Sequence, residues 1–468
     1  MGARIGAGRG HGEQKVNAGD AIAAIAVYRI DNSFMLTGRW GLGAILRAPE
    51  EIMTTRAMFE GHLEDAFGAN PDAHVDAPAG NLPSARPPHL DLSLHSDLDS
   101  IEEEWRTFEA SADCTVFQTF DWLSTWFRNI GVHQGAKPAV VIGRHGGEPL
   151  FLLPFALETN GFVRKITWLG SDLNNYNGPM VANDFSLRVS ALQFVEVWRE
   201  VQRLLGQQLR HDLIDLEKMP KVLGEQANPF CALGVSPHVN DAYLATLGDD
   251  WESYYATTRS SATRKTDRKK RKRLADHGET RFITAGDRDG VVRSVDALID
   301  EKRKAYAKLG VANMFEQPGY RDFFLDLATG PRSSRLTHVS RLDVGDVTAA
   351  ANFGLTFRGR YYYILAGYND GELARFGPGA IQLMDVMRYA TEHGCKLFDF
   401  TIGDEPYKRE WCDIEISLCD YAAPASFRGW LAAVPAAAVR GVKRRIKRSP
   451  AAWAVVRKLR MLTGSLRG

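Results

Sequence analysis

Twice along this chain the same order of elements is written: two β-rich runs joined by a turn, then a third strand, a long helix and a fourth strand. In the first half, residues 138–143 and 149–156 flank the turn Arg144-His-Gly-Gly-Glu148, a strand follows at 165–169, a helix at 187–205, and Asp212-Leu-Ile-Asp-Leu216 closes the series. In the second half, 336–342 and 347–356 flank Asp343-Val-Gly-Asp346, an aromatic strand spans 360–368, a helix runs over 380–393, and the last strand is 396–400. Hairpins mixed with helical crossovers predict a mixed α/β (α+β) fold of two tandem lobes, each a central, mostly antiparallel sheet flanked by helices. A doubly wound nucleotide-binding fold is excluded. The repeat is one of element order, with no evident residue-level identity between the halves.

The chain is long enough for more than one core, with 468 residues of which 44% are apolar and 25% charged. Residues 1–88 are rich in Gly, Ala and Asp and carry five prolines between Pro71 and Pro88, so they read as a largely disordered extension and linker. Order begins near Leu90: Ile101, Glu104, Trp105 and Phe108 have helical spacing, and a second helix is expected over 120–129. The lobes are taken as 89–240 and 241–422, and 423–468 is a basic amphipathic tail.

The net charge of +1 conceals that tail. From Tyr421 to Gly468 there are eleven Lys or Arg and no Asp or Glu, which leaves 47 basic against 57 acidic residues, a balance of −10, in the preceding 420. Trp430, Leu431, Val434, Val439, Val442 and Ile446 are interspersed with those cations. Such a segment suits either peripheral contact with an anionic membrane or a helix packed on the second lobe with its basic residues outward; Pro450 would break it in two. No apolar run approaches the roughly 18 to 20 residues needed to cross a bilayer, no secretory signal is read in the first thirty residues, and the five cysteines form no Cys-x-x-Cys pair. A cytoplasmic protein, peripheral on the inner membrane face, is the expectation.

The loop Arg375-Phe-Gly-Pro-Gly-Ala380 runs into the second helix. A helix N-terminus offers unpaired N–H groups and the positive end of the dipole. Gly377 and Gly379 let the backbone approach a pyrophosphate, Pro378 fixes one φ, Arg375 adds a charge contact and Ala380 continues the cradle. The same residues also make an ordinary turn and helix cap. Between Arg264 and Arg273 stand eight basic residues and Asp267; on a helix, Arg264, Arg268 and Lys272 would share a face. That face is either solvated or beside the cleft, where it would attract a phosphorylated or acidic acceptor. No aromatic residue interleaves with it, so specific nucleic-acid binding is not expected. Phosphate-loop, serine-elbow and zinc-protease motifs are lacking, and no metal is expected.

The string Leu397-Phe-Asp-Phe-Thr-Ile-Gly-Asp-Glu-Pro-Tyr-Lys-Arg-Glu-Trp411, preceded by Gly377-Pro-Gly379 and a helix, resembles the acetyltransferase domain of cellulose-biosynthesis (CelD-like) proteins, members of the GNAT superfamily. Phe117-Gln118-Thr119 with Asp121-Trp122, Trp168-Leu169-Gly170 with Asn175-Tyr-Asn-Gly-Pro179, and the basic run after Ser260 resemble the same family. The likeness spans about 90–421. It implies two GNAT-like lobes, as in the Fem-type peptidyltransferases that transfer aminoacyl groups from tRNA, with acetyl-CoA or another acyl-CoA as co-substrate and a small molecule or glycan as acceptor. One departure stands out. The superfamily pattern is Gln/Arg-x-x-Gly-x-Gly/Ala, and with its glycines on Gly377 and Gly379 the Gln/Arg position falls on Ala374, one residue before Arg375.

In transfer of this type an amine attacks a thioester directly, needing a backbone N–H for the oxyanion, a base and sometimes an acid. The resemblance implies an oxyanion donor on the 361–368 strand where it parts from 396–400. Asp399 would take the ammonium proton, or else bond backbone N–H groups of the loop. Asp404 and Glu405 read as solvated loop charges. Tyr407 would be the general acid, or would pack the loop. Lys408 would neutralise a phosphate or an acidic acceptor, or lie on the surface. Trp411 reads as a core anchor or as a platform for a sugar or base ring. The function implied is acyl-CoA-dependent N- or O-acyl transfer in cell-envelope or exopolysaccharide biosynthesis. The alternatives are aminoacyl transfer from charged tRNA, or a non-catalytic membrane-surface scaffold of a polysaccharide synthase.

Overall fold

The computed structural model describes residues 89–449. The readings for residues 1–88 and for the tail from Pro450 onward lie outside the described residues.

Each half repeats a strand, two helices, three strands, a helix and a strand. In the first half these are β1 (Asp91–His95), α1 (Glu102–Ser111), α2 (Phe120–Trp126), β2 (Lys137–His145), β3 (Glu148–Asn160), β4 (Val163–Trp168), α3 (Ala191–Gln208) and β5 (Leu213–Pro220). A connecting stretch carries β6 (Ala242–Thr246), α4 (Trp251–Thr258) and α5 (Ser261–Ala275). The second half is β7 (Thr280–Thr284), α6 (Arg288–Leu309), α7 (Tyr320–Thr329), β8 (Thr337–Val344), β9 (Val347–Phe357), β10 (Arg360–Tyr368), α8 (Pro378–Glu392) and β11 (Leu397–Ile402), and β12 (Leu418–Pro424) and α9 (Phe427–Arg448) follow. The repeat is therefore longer than the pattern of hairpin, strand, helix and strand. The helix expected over 120–129 continues past Trp126 as a wide turn to Gly131 and ends on the left-handed Gly135.

In both sheets the first four strands are antiparallel, and the fifth lies parallel to the fourth because a helix carries the chain back across the sheet. The sixth strand is exchanged. After β5 the chain crosses to β6, which pairs antiparallel with β11 in the second sheet, and after β11 it returns to β12, which pairs antiparallel with β5 in the first. Each lobe is completed by the other.

Helical periodicity explains the layers. Phe194, Val197, Trp198, Val201 and Leu205 of α3 recur at helical spacing and are buried on one face of the first sheet. In the second lobe Ile381, Met384 and Val386 of α8 pack with Trp251 of α4 and Leu274 of α5. The opposite faces of both sheets meet in one common core. There Trp105, Phe117, Trp122 and Trp126 of the first half pack with Leu298, Phe323, Phe324 and Phe353 of the second. Trp122 meets Phe323 edge to face at 5.0 Å, and Phe117 meets Tyr362 at 5.7 Å.

The lobes approach closely at Gly319, which has φ +85° at the start of α7, and a Cβ there would run into the carbonyl of Asn129. Gly319→Val is expected to destabilise the chain by roughly 2–4 kcal/mol through a left-handed β-branched residue and a forced lobe separation. A lowered urea midpoint measures this, and an unchanged one would contradict the close approach.

The helix α9 packs on β4, β5 and β12 of the first sheet, so the alternative that set it on the second lobe with its basic residues outward is corrected. Arg440 turns inward to Asp215 (3.1 Å) and Glu217, and Arg444 donates to the Pro237 carbonyl at 2.8 Å. Asp215 and Glu217 stand on β5, and their carboxylates draw the Arg440 guanidinium in.

Candidate active site

The site begins where two strands part. Parallel β10 and β11 are in register only at Arg360 with Leu397, Tyr361 with Phe398 and Tyr362 with Asp399. Across β10, Phe353 faces Leu365 and Gly354 faces Tyr363, so Ile364 is an extra residue, a bulge that bends β10 away from β11. The strand leaves a V-shaped gap whose far arm ends at Tyr368.

The Gly377 loop stands at that end. Gly377 has φ +67°, Pro378 takes the first helical position of α8, and no side chain caps the helix. A Cβ on Gly379 would lie 3.1 Å from the Tyr368 ring, which brings the helix N-terminus against the tip of β10. Arg375, read from sequence as a phosphate contact, lies over the Phe376 ring at 4.8 Å, and His277 packs on the same ring at 4.8 Å.

The 264–273 run is helical, as α5, and lies along this loop. Arg271 pairs with Asp385 of α8 at 2.6 Å, and a Cβ on Gly377 would lie 3.7 Å from the Lys270 ammonium. Asp267 is buried and accepts from the Tyr255 hydroxyl at 2.8 Å. Arg264 is half-buried with its Nε enclosed, whereas Arg268 is exposed. Lys265, Arg268, Lys269, Lys272 and Arg273 are exposed and make no ion pair with any described residue. A dense positive surface thus flanks an uncapped helix N-terminus, and the two fields add.

The first lobe has no counterpart to this cradle. At the start of α3, Ser190 accepts from Gln193 N at 3.3 Å while the Gln193 side chain accepts from Ser190 N at 2.9 Å, a reciprocal cap that occupies the orphan donors. Trp168, Trp198 and Phe230 are packed beside the corresponding strands, with Trp198 and Phe230 at 5.0 Å. The start of α8 thus lacks the side-chain cap that closes the start of α3. The halves do share residues. Lys165 stands beside Leu213 and pairs with Asp215 at 3.2 Å, and Arg360 stands beside Leu397 and lies 3.7 Å from Asp399. Leu213-Ile-Asp-Leu216 thus corresponds to Leu397-Phe-Asp-Phe400, a residue-level repeat that the sequence reading missed.

Asp399 is wholly buried at the bottom of the gap. Its Oδ1 accepts from the Tyr176 hydroxyl of the first lobe and from Thr401 N, both at 2.7 Å, while Oδ2 makes no hydrogen bond with any described residue. Burial raises its pKa above the ordinary carboxylate value, against the opposing pull of Arg360 and of its hydrogen bonds. Burial also raises the Tyr176 phenol, and Asp399 adds to it. Asp399 does not face solvent, so the role of a carboxylate open to an incoming ammonium is corrected here to that of a buried brace. It holds Thr401 at φ +60°, a conformation side-chain-bearing residues rarely adopt.

Lys408 is corrected likewise. It is 3% exposed, and its ammonium donates to the carbonyls of Ile402 (2.9 Å) and Thr401 (3.3 Å) and pairs with Glu405 at 2.9 Å. Those carbonyls belong to the end of β11, and a lysine reaching back six and seven residues donates to them. Tyr407 is exposed, 6.1 Å from Phe400, and its phenol is raised by burial of its inner edge and then by Glu405 and Cys412. Its hydroxyl keeps its proton at neutral pH.

Trp411 is buried in a stack with Trp251, Tyr254 and Tyr255, and the Arg259 guanidinium sits 4.5 Å above it. One edge of this stack borders a cleft of about 460 Å³ lined by Thr246, Ser253, Tyr254, Trp411 and Asp413 among others. Arg375, Gly377, Gly379 and Ala380 thus gather at one end of the gap, Asp399, Tyr407 and Lys408 at the other, and Trp411 with Arg259 on the flank.

Several contributors were not read from sequence. Lys270, Tyr176 and Arg360 come from other elements, and so does Lys302 of α6, whose ammonium is lowered by burial while Glu405 opposes the shift. Tyr176 had a signal within Asn175-Tyr-Asn-Gly-Pro179, and Lys270 one within the basic run from Arg264 to Arg273. Among the described residues no group of three or more His, Cys, Asp or Glu could hold a metal ion, and no helix is long and apolar enough to cross a membrane.

Residues 261–409 match the family model described as an acetyltransferase (GNAT) domain. They span α5, the gap, the cradle and the loop. No curated protein matches the chain. Among solved structures the chain is similar to FemX, with TM-score 0.46 and 10% identity over 71% of this chain and 95% of that one. It is similar to the C-terminal domain of a putative lysylphosphatidylglycerol synthetase from Agrobacterium fabrum (TM-score 0.44, 11% identity, 73% and 96% covered). It is also similar to a tandem GNAT protein from the clavulanic acid biosynthesis pathway (TM-score 0.40, 11% identity, 72% and 99% covered). Residues 261–409 thus carry a GNAT-type acetyltransferase domain, and domains of this type in general take an acyl-CoA as co-substrate.

Proposed function

We propose that the second lobe transfers an acyl group, acetyl in the first instance, from acyl-CoA to an amine or hydroxyl of a cell-envelope or exopolysaccharide acceptor. The observation that carries this reading is the uncapped α8 N-terminus at the mouth of the β10–β11 gap with a basic helix beside it. The residues fit such a donor in part: Gly379 would offer its backbone N–H to a pyrophosphate and Lys270 an ammonium, while the Gly377 and Ala380 N–H groups, bonded to the Ala374 and Gly377 carbonyls at 3.0 and 3.1 Å, would shape the turn around it. Acyl-CoA supplies the activated thioester carbonyl. The oxyanion donor is drawn from residues 363–367, whose N–H groups have left β11.

Tyr407 is our general acid, returning a proton to the departing sulfur. Glu405, half-exposed in the same loop, is the carboxylate to which we give the ammonium proton. Asp399 and Lys408 act through the loop they hold, and Trp411 with Arg259 forms the acceptor-side wall. An envelope acceptor would be met at the cytoplasmic membrane face, which the basic C-terminal segment suits.

Thiol release on mixing the chain with acetyl-CoA and candidate amino sugars or oligosaccharides tests the reading, and failure of any acyl-CoA to bind would sink it. Tyr407→Phe is expected to lower kcat by roughly 10²-fold with KM for acyl-CoA little changed. The five unpaired cations of α5 favour one second reading, a longer polyanionic donor such as charged tRNA. Aminoacyl transfer from charged tRNA without thiol release would select it.

A further inference from the structure

The first turns of α9 are inside out. Gly429 lies against the Asp212 carbonyl, and Ala432, Ala433, Ala436, Val439, Arg440, Lys443 and Ile446 follow on the same inward side. On the other side stand Phe427, Trp430, Leu431 and Val434, at i, i+3, i+4 and i+7, exposed by 73%, 51%, 51% and 49%. Pro435 and Ala438 extend the row. The Phe427 and Trp430 rings stack at 6.2 Å and 14°, facing solvent together. A helix docked on a globular lobe hides its largest apolar residues, and this one displays them. Scattered exposed apolar residues need no explanation, but a contiguous stripe of two aromatics, a leucine and a valine does.

We infer that this stripe is a membrane-docking face which inserts into the headgroup region of an anionic bilayer. The occupant follows from charge. Residues 422–468 contain eleven Lys or Arg and no acidic residue, so the segment that carries the stripe, with Arg428 beside it, favours an anionic partner. Phe, Trp and Leu beside Lys and Arg is the composition of helices that lie in a bilayer interface, where the rings bury at headgroup depth and the cations hold anionic lipid. The inference does not depend on acyl transfer.

The test uses the full chain and extruded vesicles, either of phosphatidylcholine alone or with about 30% phosphatidylglycerol. Co-sedimentation is expected with the anionic vesicles, weakening as salt is raised. Trp430→Ala/Leu431→Ala is expected to lower the partition coefficient by at least about tenfold at constant salt. Both residues face solvent, so its melting temperature should match the native chain. Arg428→Gln, beside the stripe, is expected to weaken binding less and to shallow the salt dependence. Equal binding by the native chain and the double variant would overturn the inference, as would no vesicle binding at all. A native dimer that the double variant converts to monomer would overturn it in favour of a second copy of this chain.

Discussion

A Gly379→Trp variant is expected to bind acyl-CoA at least about 100-fold more weakly than the native chain, a loss of roughly 2.7 kcal/mol, with little change in melting temperature. The reasoning separates the site from the scaffold. Gly379 is in the first turn of α8, and its own N–H makes no hydrogen bond with any described residue, whereas those of Ala380 and Ile381 donate to the Gly377 carbonyl. A Cβ there meets only the Tyr368 ring at 3.1 Å, and Tyr368 is about half exposed and can swing away, so the fold tolerates the change. An indole over that free N–H excludes a phosphate from it. Gly377→Ala makes a useful contrast. Its strain at φ +67° falls on the backbone, so it should cost stability of about 1 kcal/mol as well as affinity. Isothermal titration with acetyl-CoA, paired with thermal melts, checks both. Undiminished binding by the Trp variant would remove the cradle from the donor site.

The second large effect is expected at Asp399. Asp399→Ala should destabilise the chain by about 3–5 kcal/mol, because it strands the Tyr176 hydroxyl, Thr401 N and the Arg360 guanidinium in the closed space between the lobes. Asp399→Asn keeps an acceptor at the Oδ1 position and should lose much less. The pH dependence tells the two roles of the carboxyl apart. Its folded pKa is raised above the ordinary 3.8, so its contribution to stability is fully present below that value and is lost as the pH rises through the folded value. The advantage of the native chain over Asp399→Asn should therefore be largest in acid and shrink upward. Urea midpoints of both proteins across that range measure it. A native advantage that grew with pH would mean that the carboxylate is held ionised by Arg360, with burial the lesser influence.

What could be read in the sequence was what depends on neighbours along the chain. The strands at 347–356 and 360–368 and the helix at 380–393 come from local periodicity, and β9, β10 and α8 stand within two residues of them. β6 and β12 went unread for a different reason. Their partners, β11 and β5, lie some 150 and 200 residues away, and short exchanged strands carry no local signature of where they pair. The site was legible in the same proportion. Gly377, Gly379 and the loop to Trp411 are contiguous in sequence and were found. The direction in which Asp399 and Lys408 point was not, since it depends on Tyr176 and on free carbonyls that appear only when the chain is folded. The Lys165–Asp215 and Arg360–Asp399 pairs escaped notice because the cation is Lys in one half and Arg in the other, and each stands on a different strand from its aspartate.

The exchange of β6 and β12 also sets a timetable for synthesis. When the last residue of β5 leaves the ribosome, that strand has an open edge, and the segment that will cover it begins at Leu418, about 200 residues downstream. At roughly 5–20 residues per second the wait is about 10–40 seconds. During it the nascent first lobe presents Leu213-Ile-Asp-Leu216 as an unpaired edge, the kind of surface that recruits other strands. A ribosome stall anywhere in the second lobe would leave both sheets unfinished, so the two lobes reach their folded state together, at the end of translation.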